Sequence, residues 1–203
     1  MRTEFWIQNY WRPGLIGILL ITITHLLIAC IPGGTNFSPA SAASQELIQN
    51  KEAIRDTIRI HQTQSWRKSR MLLASYERNK NNEQMSCEAV FQMHPSASGW
   101  QISETGSSCS IPPNTDAVTF GSGTLGVAPD DFSYVFGLVR LETAKMVEIT
   151  WQDGVIQRVP VVNGSYLTLR DGNIQMSTRV EVLDATDKVI HEIETVLDIE
   201  NLQ

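Results

Sequence analysis

Turn-forming pairs recur through the second half of this chain at roughly ten-residue intervals, and the residues between them alternate apolar and polar. Asp153-Gly154 and Asn163-Gly164 are the strongest of these pairs, since both residue types tolerate the left-handed backbone of a two-residue hairpin. Met146–Trp151 before the first pair puts Val147, Ile149 and Trp151 on one face. Val155–Val161 follows, and Pro160 makes its end an edge or a bulge because proline donates nothing to a ladder. Tyr166–Arg170 comes next, then Val180–Leu183 and Val189–Ile193 around the turn DATDK. Ser133–Val139 alternates in the same way, with Gly137 mid-strand, where glycine makes a bulge possible.

Upstream, Met71–Arg78 and Met85–Met93 read as strands joined by the polar turn NKNNEQ, with a short strand at Trp100-Gln101-Ile102. Residues 104–115 are polar and irregular and read as a loop. The spacing predicts about eight strands in a mainly β chain, an antiparallel immunoglobulin-like β-sandwich over residues 67–203. One amphipathic helix is expected before it, over 44–66, capped by Ser44 and carrying Leu47, Ile54 and Ile58 on one stripe with His61 beside it. The elements SYVFGLV, VEITWQDG, VPVVNGSYL and EVLDATDKVI, between Tyr134 and Ile190, resemble domains of bacterial exported proteins. That resemblance implies fold and location, and carries no catalytic set.

Residues 14–31, GLIGILLITITHLLIACI, form the longest apolar run. Eighteen residues interrupted by Thr22, Thr24 and His25 suit a signal peptide better than a permanent span of a bilayer about 30 Å thick. The run ends in Leu27-Ile28-Ala29-Cys30, which resembles the lipobox of bacterial lipoproteins. The resemblance implies cleavage before Cys30 and lipidation of that cysteine, leaving residues 31–43 as a flexible tether. Ala40-Ser41-Ala42 offers an alternative A-x-A site for plain secretion, and retention of 14–31 as an uncleaved anchor is a third route. All three place the rest of the chain outside the cytoplasm.

Cysteine arithmetic agrees with export. Of three cysteines, the lipobox resemblance implies that Cys30 is used by the anchor; the even remainder, Cys87 and Cys109, is then expected as a disulfide, with two free buried thiols as the alternative. Their spacing of 22, with no CxxC and no histidine at ligand distance, does not make a zinc set.

A formal charge of −6 argues against nucleic acid as a partner, because phosphate neutralisation needs a basic surface. The charge is uneven. Lys51–Lys80 carries eight basic and three acidic residues, whereas Asn81 onward carries six basic and seventeen acidic.

Gly121-Ser122-Gly123-Thr124-Leu125-Gly126 matches G-x-G-x-x-G literally, but Pro129-Asp130-Asp131 follows where a dinucleotide fold needs a helix, so a glycine-rich loop is expected. No G-x-S-x-G elbow, converging carboxylate pair or EF-hand loop is present. Trp151, Tyr134 and Tyr166 are expected in the core. No catalytic residue, metal ligand or cofactor is therefore assigned. The expected function is a binding or structural module of the cell envelope, tethered to the membrane by lipid or helix and meeting an envelope protein. An enzyme with a site assembled from distant residues, or a signal-transmitting anchored protein, is the alternative.

Overall fold

In the computed structural model the described residues are 38–111, 115–127, 130–172 and 177–194. The apolar run 14–31, Cys30 and the first part of the expected tether lie outside them. Among the described residues no helix is long and apolar enough to cross a membrane.

The chain enters through one helix, α1 (Pro39–Asn50). Ser38 caps it: its hydroxyl accepts from the Ser41 N–H at 3.1 Å, the Ser41 hydroxyl accepts from the Ser38 N–H at 3.2 Å, and Pro39 supplies a preset φ in the first turn. The expected helix over 44–66 is thus displaced and far shorter. Its first turns begin inside the expected tether. Its second half is a 3-10 turn at Arg55–Thr57 and strand β1 (Arg59–Trp66). The reason is a degeneracy of spacing. Ile54 and Ile58 are four apart, which suits both a helical stripe and an alternating strand, and the β-branched residues Thr57, Ile58, Ile60 and Thr63 favour the strand. Glu52, at φ 57°, ends the helix in the left-handed region.

Strands β2 (Ser69–Lys80), β3 (Glu83–Ser96) and β4 (Gly99–Ser110) complete an antiparallel meander in the order β1-β2-β3-β4. The expected loop at 104–115 is therefore mostly strand. Its polar composition reflects an edge position, where Ser107 and Ser108 are exposed.

The remaining strands are β5 (Gly121–Leu125), β6 (Phe132–Leu138), β7 (Met146–Trp151), β8 (Ile156–Pro160), β9 (Ser165–Asp171), β10 (Ser177–Leu183) and β11 (Val189–Glu194). They form two sheets, β5-β6-β9 and β11-β10-β7-β8. Seven antiparallel strands in two facing sheets make the immunoglobulin-like sandwich, with its fourth strand paired to the third rather than to the fifth. The sandwich begins after residue 115, so the expected limits of 67–203 included a meander that belongs to another sheet. Pro160 does end an edge strand.

Three apolar clusters glue these layers. Ala42, Ala43 and Leu47 of α1 pack on Leu72, Ala74, Tyr76, Cys87, Phe91 and Met93 of the meander. Met71, Leu73 and Val90, on its opposite face, meet Phe132, Tyr134, Phe136, Leu167 and Leu169. Val135 and Tyr166, turned the other way, meet Val147, Ile149, Trp151, Val180 and Val182 of the outer sheet. The middle sheet is consequently buried on both faces.

Two glycine-bearing strands depend on close approach. A Cβ at Gly123 would lie 2.5 Å from the Tyr134 hydroxyl, and one at Gly121 would lie 2.4 Å from the Phe136 ring. The first five residues of the G-x-G-x-x-G segment are thus strand β5, with an aromatic neighbour on Gly121 and on Gly123, and not the expected loop. Gly137 pairs with Tyr166 of β9 without a bulge, and a Cβ there would lie 2.0 Å from the backbone oxygen of Thr119.

Candidate functional site

Cys87 and Cys109 stand directly opposite each other on β3 and β4, with Cα atoms 4.1 Å apart, and are joined in a disulfide. The bond crosses two strands of one sheet rather than tying down a loop. Cys87 is fully buried on the α1 side of the meander. Cys30 lies outside the described residues.

Two groups with shifted pKa values, His61 and Glu88, lie on the other face of the meander, toward the sandwich. His61 of β1 lies 2.8 Å from the Ser75 hydroxyl of β2 through Nε2. Burial and the Arg59 charge hold its pKa below the usual value, against a hydrogen bond to the Asn163 backbone that raises it. Ser75 pairs across the ladder with Glu88 of β3, whose pKa burial pushes up against the opposing pull of Thr119 and Arg140. Thr119 donates its hydroxyl proton to Glu88 at 2.9 Å and accepts the Leu138 N–H at 2.7 Å. Tyr166 donates to the Thr119 carbonyl at 2.9 Å, and burial raises its own pKa strongly. Gln62 donates to the Ser165 carbonyl at 2.7 Å across the same seam.

A hydroxyl beside an imidazole is the first half of nucleophile activation. The second half is missing here. Ser75 sits in a strand paired on both sides, so its neighbouring amides are spent on ladders and offer no oxyanion hole. Glu88 and Tyr166 point their polar ends at one threonine, which satisfies buried groups and fixes two layers in register. The seam is a fastening. Sequence spacing did not announce it, because His61, Ser75 and Glu88 meet across three strands of the meander and Thr119 reaches Glu88 only where the sandwich stacks on it.

Carboxylates elsewhere are also engaged locally. Asp184 accepts from the Thr186 and Lys188 backbone N–H groups, and Asp171 takes a 2.5 Å contact from Arg67. Glu148, Glu181 and Glu192 stand in register across the outer sheet, where Arg158 and Arg179 bridge them. Among the described residues no group of three or more His, Cys, Asp or Glu side chains converges as a metal site. Trp151, Tyr134 and Tyr166 are buried, as their strand positions lead one to expect.

Open concavities flank α1. On the β1 side, a groove of about 550 Å³ is lined by Ser44, Ile48, Arg55, Ile58 and Ile60. On the β4 side, one of about 420 Å³ is lined by Gln45, Glu46, Gln49, Trp100, Gln101 and Ile102. Both fall in the size range of small-molecule sites.

No family model, curated protein or solved structure matches the chain.

Proposed function

We propose that this chain is an extracytoplasmic lipoprotein of bacterial type, held to the outer face of a membrane by a lipidated Cys30 and acting as a binding module of the cell envelope. The disulfide carries the reading: Cys87 and Cys109 satisfy each other, and Cys30 is left as the third cysteine, at the end of the apolar run. Structural disulfides persist in oxidising compartments and are rare in the reducing cytosol.

The helix start favours this route over secretion by cleavage after Ala42. That cut would remove Ser38, Pro39 and the buried Ala42, and with them the cap and the first turn of α1. Cleavage before Cys30 leaves the whole helix and its cap intact. A spent polar seam and engaged surface carboxylates favour binding over catalysis.

Metabolic labelling with palmitate tests the anchor. Wild-type protein should take up label and sediment with membranes, and Cys30→Ala should lose both. Unlabelled wild-type protein that stays in the membrane fraction sinks the proposal.

A further inference from the structure

We propose that the groove between α1 and β4 binds an uncharged glycan strand, with Trp100 as the stacking platform and the amides of Gln45 and Gln49 reading its hydroxyls. As a ligand assignment it rests on the envelope reading for the source of the glycan, but the groove chemistry stands apart from the anchor.

The lining selects by charge first. It contains no lysine or arginine, so phosphates and carboxylates have no counter-charge there. Its single carboxylate, Glu46, already accepts the Asn50 amide at 2.6 Å, which leaves a poor set for a cation. What remains on α1 is the two primary amides of Gln45 and Gln49, with no side-chain partner among the described residues. Each offers one acceptor oxygen and two N–H donors. Sugar hydroxyls also donate and accept, so amides match them without a net charge on either side.

Trp100 supplies the apolar component. It is only partly buried, although it packs against the α1–meander core from the side. An indole face takes the C–H face of a pyranose, which is flat and apolar while its rim is polar. Ile102 extends that apolar floor. The concavity is open to solvent along its length, which suits one stretch of a chain rather than an enclosed small molecule.

An added peptide strand is the competing occupant, since β4 is an edge. The edge is broken at this point. Gln92 pairs with Glu104 and Met93 with Ile102, so Ser103 is an extra residue in β4 beside the groove, and its hydroxyl turns back to the Gln92 carbonyl at 3.1 Å. A bulge of this kind interrupts the row of amides and carbonyls that an incoming strand must pair with.

The test is calorimetric titration of the full chain, purified in a detergent without a sugar headgroup, against tetra-N-acetylchitotetraose and cellotetraose. Saturable heat is expected from at least one of them, and Trp100→Ala should weaken it about tenfold or more. Trp100 also touches the core, so the double variant Gln45→Ala/Gln49→Ala, on the outer ridge of α1, provides the second measurement. It should weaken binding while leaving the circular dichroism spectrum unchanged. No heat from either sugar up to about 10 mM, a level at which a shallow site still registers, overturns the proposal. So does binding that both variants leave intact, or heat only from an extended tetra-alanine peptide. None of these outcomes touches the anchor, which palmitate labelling reads separately.

Discussion

The meander and the sandwich solve the same problem, covering a sheet on both faces, by opposite means. In the meander, consecutive strands pair with their neighbours in sequence, and a helix plus a second sheet cover the two faces. In the sandwich, the buried sheet takes its strands from distant parts of the chain: β6 pairs with β9 across the whole β7–β8 hairpin. The meander is held by local hairpins and a cross-strand disulfide, and the sandwich by strands such as β6, of whose seven residues all but Leu138 are buried. Local pairing forms early and survives partial damage, while non-local pairing must be closed at greater entropic cost. Damage to the middle sheet should therefore spread through both halves, and damage to the disulfide should stay in one.

The sharpest way to break that comparison is at Gly137. A methyl there meets the Thr119 carbonyl at 2.0 Å and the Tyr166 ring at 2.7 Å, and the first of these is backbone. Gly137→Ala should cost about 4 kcal/mol, above the usual loss for overpacking, because nothing flexible can move aside. Urea denaturation should show both halves unfolding together. A variant within about 1 kcal/mol of wild type would show that the middle sheet is looser than its packing implies.

The disulfide comes next. Removing a cross-link over a sequence separation of 22 should cost about 3 kcal/mol in the chain-entropy model. For Cys87→Ala/Cys109→Ala, hydrogen exchange should speed up in β3 and β4 and stay unchanged in β7 and β10. Equal acceleration in both sheets would erase the distinction between local and non-local halves.

What could be read from the sequence follows the same division. The outer sheet was legible almost strand for strand, because Met146–Trp151 buries alternate residues and leaves the others toward water. The disulfide was legible from counting cysteines, although its place across two strands was not. The doubly buried strands carry less periodic information: Met71, Leu72, Leu73 and Ala74 are all fully buried, so alternation disappears where two faces are both interior. The β4 strand was hidden by its own polarity. Gly106 interrupts its pattern because a Cβ there would lie 1.8 Å from the Tyr134 hydroxyl, a constraint imposed from another sheet. The groove beside α1 was out of reach for the same reason. Trp100 and the α1 glutamines lie some fifty residues apart and meet only once α1 is seen to start at Pro39.

A smaller effect is expected at the rim of the seam. Arg67, in the β1–β2 turn, reaches Asp130 at 3.1 Å and Asp171 at 2.5 Å on the sandwich. With 38% of its side chain and most of both carboxylates exposed, the pair is well screened, and Arg67→Ala should cost less than about 1 kcal/mol. High salt should shrink that difference further. A loss several times larger, insensitive to salt, would mean that the seam depends on its rim charges rather than on the apolar contact beneath them.

The smallest effect concerns the two titrating groups inside the seam, and their signs oppose. His61 has a folded pKa below 6.5, so acidification through that value protonates the unfolded chain first and lowers stability. Glu88 has a folded pKa above 4.5, so the native state binds its proton more tightly. Its contribution is fully present below 4.5 and is lost as pH rises through the raised folded value. In the wild type the two partly cancel between these limits. Urea midpoints compared at about pH 5 and about pH 7.5 should separate them. His61→Gln removes the acid penalty and leaves the Glu88 gain, so acidification should favour this variant relative to wild type. Glu88→Gln keeps the acceptor for Thr119 but removes the titration, so acidification should disfavour it relative to wild type. Displacements of the same sign, or none in either variant, would mean that the seam opens to solvent and that the two layers are fastened by their apolar faces alone.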